Sequence, residues 1–327
     1  MKQLVQNFPH QLKDSLAIAE KAIVSNKADC HNIVVTGLGG SGIGGTILSE
    51  LLSDYCPVPI LVNKDYSLPS FINEKTLLIV SSYSGNTEET LEAMQQAMLK
   101  KAQIVCVTSG GKVLEMAKQH QFDFIEIPGG LPPRSCIGYS LYQLIRVLQI
   151  KKLAPASLTN DLQNCIHLLE KENENIKAEA AAIAKKLHHK ITVIYTLGTC
   201  EGVAVRFRQQ INENSKMLCW HHTFPEMNHN ELVGWTTPNQ DLAVVTFHTS
   251  FDYKRTQKRY AFCKPLFESL SSGVTDIHAK GESKLEQFFY LINLGDWISC
   301  YLADLKGIDP VEVNIIDKLK KELSGFQ

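Results

Sequence analysis

The feature of this sequence that most limits its fold is a repeated alternation of short apolar runs with helical patterns. The runs are apolar throughout, which is typical of strands that are buried on both faces of a sheet. They lie at residues 32–36, 59–62, 77–80, 104–107, 124–127, 191–199 (a strand with its turn) and 242–247. Strands that alternate with helices form right-handed crossovers. We therefore predict an α/β fold with mostly parallel, doubly wound sheets flanked by helices.

The length of the chain and the order of its patterns predict two related halves. At 327 residues the chain exceeds one ordinary domain, and each half begins with a strand, a glycine-containing turn and a helix. We predict an N-terminal subdomain over residues 1–153, a polar linker helix over 154–187 and a C-terminal subdomain over 188–327. The remaining predicted helices lie at residues 10–27, 47–52, 138–150, 201–218 and 285–305.

Composition excludes several classes of protein. The hydrophobic content of 44% and charged content of 20% fit a soluble globular chain, and a formal net charge of -1 argues against nucleic acid as a partner. The nine cysteines form no CxxC pair, which indicates a reducing cytosol. The first residues lack the apolar core of a signal peptide, and no apolar run reaches the roughly 18 residues of a membrane helix. We therefore expect a cytoplasmic protein without a membrane partner.

A hydroxyl-rich loop at residues 81–87 lies between a buried strand and a helical pattern. At a helix N-terminus the free N–H groups and the helix dipole favour an anion. Ser82, Ser84 and Thr87 add neutral donors there, which suits a phosphate monoester. The alternative is an ordinary N-cap by Thr87, but a cap needs one hydroxyl and this loop offers several. The loop therefore predicts phosphate binding.

A glycine-rich segment follows the first strand and has two interpretations. Residues 37–42 match the G-x-G-x-x-G dinucleotide fingerprint, and Asp65 lies where an acidic residue would meet a ribose. A nicotinamide-dependent oxidoreductase is therefore the alternative function. However, the glycine run extends to Gly45, and Ser41 lies inside it as a further donor. Together with the hydroxyl-rich loop, this favours a pocket for one compact phosphate and sugar hydroxyls.

Three further positions are candidates for chemistry. Arg134 follows two prolines that restrict the backbone, so it either holds an oxyanion or pairs with a surface carboxylate. Glu213 lies three residues before Lys216, so it is either part of an exposed ion pair or a general base in a cleft. Residues 221–231 contain three histidines, but their spacing matches no common zinc motif, and no metal is predicted. Within that segment His229, flanked by two asparagines, is the best candidate for acid–base chemistry.

The two loops resemble those of the sugar isomerase (SIS) fold, through residues 39–42 and 82–87. Further segments resemble one branch of that fold, the bifunctional phosphoglucose/phosphomannose isomerases. These segments are residues 133–134, 212–216, 225–231 and 319–320. The resemblance extends over nearly the whole chain in the same order, with Met227 where leucine is commoner.

This resemblance implies an aldose–ketose isomerase that interconverts glucose 6-phosphate or mannose 6-phosphate with fructose 6-phosphate and needs no redox cofactor or metal. The implied phosphate-binding residues are Gly40, Ser41, Ser82, Ser84 and Thr87. The implied catalytic residues are Glu213 as base, His229 for ring opening, Arg134 for the intermediate and Lys320 to complete the site, with Lys318 and Lys321 close by. The family implies a homodimer in which His229 comes from the second subunit. A sugar-phosphate sensor of the same fold is the alternative, although the sequence has no basic recognition helix.

Overall fold

The computed structural model describes residues 1–26 and 29–325, which fold into two parallel β-sheets covered by helices. The helices are α1 (Lys2–Gln6), α2 (Phe8–Lys21), α3 (Gly39–Leu51), α4 (Glu88–Leu99), α5 (Gly111–Gln119), α6 (Ile137–Ile150), α7 (Leu158–Leu187), α8 (Glu201–Ser215), α9 (Lys254–Leu270), α10 (Lys284–Lys306) and α11 (Asn314–Ser324). The strands are β1 (Asn32–Thr36), β2 (Ile60–Asn63), β3 (Thr76–Ser82), β4 (Gln103–Thr108), β5 (Asp123–Glu126), β6 (Ile191–Thr196), β7 (Cys219–Thr223), β8 (Leu242–His248) and β9 (Val274–His278). Within these ranges no helix has both the length and the hydropathy to cross a bilayer.

The first sheet has the order β2-β1-β3-β4-β5, and all its strands are parallel. Its central strand β3 is buried along its whole length, because helices cover both faces of the sheet. The chain changes direction across the sheet between β1 and β3, so the loops that follow these two strands lie side by side. Such a switch point is where open α/β sheets bind ligands. All five strands predicted in the first half are present.

The second sheet has the order β7-β6-β8-β9, again with parallel strands only. The sequence predicted its two inner strands but not its two outer ones, nor α9. Edge strands are covered less completely, so their residues need not be apolar: β7 carries His221 and His222, and most of β9 is only partly buried. The α/β fold with two parallel sheets is confirmed.

The helix α10 lies at the centre of the molecule and is buried along almost its whole length. A capping box begins it: the Ser283 side chain accepts the N–H of Glu286, whose carboxylate accepts the N–H of Ser283. The long helix α7, predicted as a linker, packs along α10 and α2. One hydrophobic cluster includes residues of both sheets and of these helices. The subdomain boundaries at 153 and 188 stay predictions.

The glycine-rich segment is helical, where the sequence predicted an open loop before a helix at residues 47–52. Helix α3 begins at Gly39 and includes the glycines. Because glycine has no Cβ, the helix packs closely on the first strand and the turn that follows it. A Cβ on Gly42 would lie 2.2 Å from the carbonyl oxygen of Gly37, and one on Gly45 would lie 2.9 Å from Val35 Cγ1. The glycines therefore serve packing as well as any ligand.

Two other predicted helix ends are corrected. Helix α8 ends at Ser215 instead of residue 218, because Lys216 adopts the left-handed conformation (φ 49°, ψ 46°) and the chain turns into β7. The helix predicted over residues 10–27 ends at Lys21, because the backbone of Ala22 is extended. Residue 27 lies outside the described residues.

Candidate functional site

Three hydroxyl-bearing residues of the predicted phosphate site lie at one end of the first sheet. Ser41 lies in the first turn of α3, Ser82 ends β3, and Thr87 is the N-cap residue of α4. Because both helices begin at this end of the sheet, their unpaired N–H groups lie near the same hydroxyls. The region therefore has the donors that bind an anion.

The hydrogen bonds of this region leave hydroxyl protons free for a ligand. Ser41 Oγ accepts the backbone N–H of Tyr83 at 3.0 Å, and Ser84 Oγ accepts that of Asn86 at 3.3 Å. Thr87 Oγ1 accepts a hydrogen bond from Ser82 Oγ at 3.4 Å and makes no N-cap bond of its own. A hydroxyl can donate and accept at once, so these three keep a proton to donate. This arrangement suits anion binding and does not match the N-cap alternative for Thr87.

Two glycines allow the backbone to come close at this site. A Cβ on Gly40 would lie 3.1 Å from the carbonyl oxygen of Pro133 and 3.3 Å from the Cα of Arg134. The start of α3 is thus packed tightly on the segment that carries the arginine. Gly85 has a φ of +66°, and a Cβ there would lie 1.8 Å from the carbonyl oxygen of Gly110, so only glycine fits.

The structure brings Arg134 and Glu213 together. Arg134 is buried, and its Nη1 lies 3.4 Å from Glu213 Oε2, whose side chain is 29% exposed. Arg134 Nε donates to Asn214 Oδ1 at 2.7 Å, and Nη2 donates to the carbonyls of Pro310 (2.6 Å) and Val311 (3.0 Å). Neutral acceptors therefore fix the plane of the guanidinium, and Nη1 is the nitrogen that faces the carboxylate.

The ion pair between Glu213 and Lys216, which the spacing allowed, does not form. Lys216 Nζ donates instead to the backbone carbonyls of Glu213 and Asp309, each at 2.8 Å. Burial lowers the pKa of Lys216. The Glu213 carboxylate is thereby left to Arg134, and the lysine ties the end of α8 to the segment that precedes α11.

A buried network behind Arg134 was not predicted. Arg206 Nη2 donates to the carbonyl oxygen of Arg134 at 3.0 Å and to Asp296 Oδ2 at 2.7 Å. Gln210 Nε2 donates to Asp296 Oδ1 at 2.8 Å. Burial raises the pKa of Asp296, and Arg206 opposes that effect. The signal in the sequence was an acidic residue in the middle of an apolar helix, since such a residue needs a buried partner.

A cavity of about 400 Å³ opens beside Glu213. Its lining includes Asn212, Glu213, Lys216, Lys318 and the residues 312–316. Lys320, on the exposed helix α11, is not part of this lining, whereas Lys318 is. The role of Lys320 stays a prediction.

The histidine-rich segment does not converge on one point. His229 ends a short 3₁₀ helix (Glu226–His229) and is exposed, whereas His221 lies on β7 with its Nε2 3.6 Å from Glu201 Oε1. In the part of the chain that the structure describes, no hydrogen bond, ion pair or ring contact joins His229 to Glu213 or Arg134. A single chain therefore leaves His229 unconnected to the other predicted catalytic residues.

One group of side chains has the proximity that a metal ion needs, and it lies elsewhere. The ligand atoms of His248, Asp276 and His278 lie within 4.8 Å of one another, near the ends of β8 and β9. Asp276 already accepts hydrogen bonds from His248 (3.1 Å), Lys264 (2.5 Å) and Tyr260. A cation would have to displace them.

Asp65, the candidate ribose ligand, is exposed after β2. Its Oδ1 accepts the backbone N–H of the next residue, Tyr66, at 2.7 Å. This local turn accounts for the aspartate without a nucleotide.

The crossing of α3 and α8 relates the hydroxyl-rich region to Glu213. A Cβ on Gly202 would lie 2.9 Å from Ile47 Cγ1 and 3.2 Å from Glu50 Oε2, so the helices touch at the glycine. Glu50 Oε1 accepts the N–H of Gly202 at 2.7 Å, and Glu50 Oε2 is buried with no partner among the described residues. Burial raises the pKa of Glu50 to about 8, although the Gly202 hydrogen bond opposes this. Because α3 begins near Ser41 and α8 ends near Glu213, this crossing sets their separation.

Two family models match the chain: the SIS domain at residues 28–128, and the bacterial phospho-glucose isomerase C-terminal SIS domain at residues 176–323. A bifunctional phosphoglucose/phosphomannose isomerase of Caldicellulosiruptor bescii is 41% identical over an alignment of 339 positions, which covers 100% of each chain. One from Aquifex aeolicus is 36% identical over 297 residues, covering 89% of this chain and 90% of its own.

Solved structures share the fold at much lower identity. The C-terminal domain of glucosamine-fructose-6-phosphate aminotransferase from Francisella tularensis has a TM-score of 0.74 at 13% identity, covering 95% of this chain and 98% of that one. The tagatose-6-phosphate ketose/aldose isomerase of Escherichia coli has a TM-score of 0.71 at 13% identity, covering 94% of this chain and 93% of that one. At such identities the similarity concerns the fold alone.

Proposed function

The chain belongs to the family of bifunctional phosphoglucose/phosphomannose isomerases, and we propose that it interconverts glucose 6-phosphate and mannose 6-phosphate with fructose 6-phosphate. The observation that carries the proposal is the buried Arg134 guanidinium 3.4 Å from the accessible carboxylate of Glu213. Relatives of that activity that match almost the whole chain support it.

The reaction opens the sugar ring, removes a proton from C2 and returns it to C1. One carboxylate suits both steps, because it acts first as base and then as acid. Glu213 is exposed enough to meet substrate and lies on the wall of a cavity. The intermediate is an enediolate, and the Arg134 guanidinium supplies a fixed positive charge beside it through Nη1. Neither step requires a metal or redox cofactor.

The phosphate is held away from the reacting carbons. Ser41, Ser84 and Thr87 have protons to donate, and Ser82 and Gly40 shape the same region. Binding energy at this non-reacting end positions C1 and C2 against the base.

We further propose that the active protein is a homodimer in which His229 of one subunit opens the sugar ring in the site of the other. Two observations support this: His229 is exposed, and among the described residues no hydrogen bond or ion pair joins it to Glu213. Helix α11 also exposes apolar side chains, with Ile315 76% and Leu319 59% accessible. Apolar side chains of this kind are usually covered by a partner. Lys320 lies on the same helix and would complete the site.

We propose a cytoplasmic enzyme of carbohydrate metabolism, serving glycolysis and gluconeogenesis. All nine cysteines fall in the described ranges and are free thiols, which suits a reducing compartment. The proposed substrates and product are phosphate monoesters of that compartment.

The deciding experiment replaces Glu213 by glutamine, which keeps the shape and removes the basic charge. We expect Glu213→Gln to lose turnover and C2–deuterium exchange in heavy water while it still binds sugar phosphate. Glu115→Gln, at an exposed glutamate of α5 away from the named site residues, serves as the control and should keep both. Wild-type assays with each aldose, with and without a chelator, test the substrate assignment. Exchange in folded Glu213→Gln refutes the base assignment, and wild-type binding without turnover indicates a sensor.

A further inference from the structure

The second sheet repeats the geometry that builds the phosphate region in the first. In the first sheet, β1 leads into α3 and β3 leads into α4, and the two strands are neighbours. In the second sheet, β6 leads into α8 and β8 leads into α9, and these strands are again neighbours. The loops after β6 and β8 therefore occupy the position that holds ligands in such sheets.

Hydroxyl donors are present at this second position too. Thr199 lies in the loop between β6 and α8, whereas Ser41 lies in the first turn of α3, and Thr249 directly follows β8 as Tyr83 follows β3. Thr199 Oγ1 and Thr249 Oγ1 lie 3.0 Å apart. In the first sheet, the Ser41 hydroxyl accepts the backbone N–H of Tyr83 and keeps its own proton for a ligand.

In the second sheet these donors are occupied by a side chain of the same protein. Asp252 Oδ1 accepts from the hydroxyls of Thr199 and Thr249, each at 2.8 Å. Asp252 Oδ2 accepts the backbone N–H of Thr249 at 2.7 Å. The aspartate is only 6% exposed, and it lies just before the N-terminus of α9.

No cation accounts for this burial. Across residues 1–26 and 29–325, no lysine, arginine or histidine forms an ion pair with Asp252. Neutral donors and the start of a helix hold the carboxyl group, which is the same combination that the first sheet offers to a phosphate.

We propose that the second sheet contains an anion-binding site of the same kind as the first, and that the Asp252 carboxylate fills it as an internal ligand. The site is thereby closed to phosphate monoesters, because a second anion would meet a negative charge and find its donors taken. The chain then binds one sugar phosphate, at the first sheet. This inference rests on the proposed phosphate site of the first sheet, whereas the response of Asp252→Ala to formate tests the second sheet by itself.

The test removes the carboxylate and offers a replacement. Asp252→Ala leaves the donors of Thr199 and Thr249 around a space that fits formate. We expect formate at ten times its Kd to raise the Tm of this variant by about 2 °C or more. The control Thr256→Ala removes a buried hydroxyl of α9 that makes no hydrogen bond to the Asp252 carboxylate among the described residues, and it should gain no more than the wild type. Asp252→Asn, which keeps the space filled, should also fail to respond.

Binding stoichiometry gives a second readout. Calorimetry with inorganic phosphate should find one site per chain in the wild type and two in Asp252→Ala. Adding Ser84→Ala and Thr87→Ala to Asp252→Ala should weaken phosphate binding at the first sheet and leave phosphate binding at the second sheet unchanged. If Asp252→Ala does not fold alone, formate in the refolding buffer should restore the folded fraction. Equal anion response in Asp252→Ala and Thr256→Ala, or no recovery with formate, overturns the proposal.

Discussion

A hydroxyl group that already accepts a hydrogen bond still has a proton for a ligand, and the hydroxyl-rich loop contains two in this state. They are Ser84 and Thr87, whereas the neighbouring Ser81 donates its proton to the carbonyl oxygen of Ser41 at 3.3 Å. Ser81 and Ser84 have the same side chain. They differ because the Ser81 hydroxyl already donates its proton, whereas the Ser84 hydroxyl only accepts a hydrogen bond. This difference can be tested.

We expect Ser84→Ala and Thr87→Ala to raise KM for either aldose far more than they lower kcat. Each loses a hydrogen bond to a charged phosphate, worth about 1.5–3 kcal/mol, which corresponds to roughly a ten- to hundredfold weaker affinity. Ser81→Ala is the matched control, since its proton is already used, and its KM should change least. Steady-state kinetics on the three variants provide the measurement. A larger KM effect in Ser81→Ala would contradict this account.

The sequence identified the residues whose chemical type is unusual for their place, but it could not decide between their partners. Arg134 could have paired with any carboxylate, and Glu213 could have paired with Lys216; the fold decided both by turning the end of α8 toward the arginine. An acidic residue inside an apolar helix indicates that Asp296 needs a buried partner, but that this partner is Arg206 could not be predicted, because the two residues are far apart in the chain. Partner identity depends on tertiary packing, which local patterns do not contain.

The crossing of α3 and α8 makes stability depend on pH through one carboxyl group. The pKa of Glu50 rises from 4.5 to about 8 because the side chain is buried against α8. Between these two values the folded protein holds a proton that the unfolded chain has released. The contribution of Glu50 to stability is therefore fully present below the lower value and is lost as the pH rises through the upper one.

We expect the wild-type free energy of unfolding to fall by an amount on the order of 3 kcal/mol, through Glu50 alone, between pH of about 5 and about 8.5. Glu50→Gln cannot ionise, so the difference between variant and wild type should change by that amount in the variant's favour over the same window. Urea unfolding at both pH values provides the measurement. Parallel pH profiles for the two proteins would refute the role assigned to Glu50.

Strands could be predicted where their residues form an apolar run and could not where polar residues interrupt it. The inner strands β1, β3, β6 and β8 are apolar because helices cover both faces, so the sequence shows them clearly. The edge strands β7 and β9 carry several polar residues and were missed, whereas the edge strands β2 and β5 have apolar runs that the sequence shows. The glycines of α3 suggested a loop, although they serve close packing of a helix on β1.

The proposed dimer predicts complementation between two inactive variants. Glu213→Gln and His229→Ala are each expected to be inactive, because every site lacks one residue. When the two are mixed and allowed to exchange subunits, half of the dimers are hybrids in which one site has both residues. The mixture should therefore recover about a quarter of wild-type activity if exchange is random. No recovery, with hybrid dimers demonstrated, would show that base and histidine belong to the same chain.

One site should serve both aldoses, with rates within about an order of magnitude of each other. The two sugars differ only at C2, and proton removal there makes that carbon planar, so both give an enediol with the same atoms and connectivity. The wild type offered both substrates together should show simple competition, and Glu213→Gln should lose both activities. Additive rates, or loss of only one activity in the variant, would point to two separate sites.

Arg134 is held through backbone carbonyls of Pro310 and Val311, and not through their side chains. Every residue has a carbonyl group, so this anchor does not depend on which amino acids stand at positions 310 and 311. Homologous chains can therefore vary at these two positions over evolutionary time and still hold the arginine in its plane. At position 134 no other side chain supplies the same donors. We therefore expect substitutions of Arg134 to be tolerated far less than substitutions at positions 310 and 311.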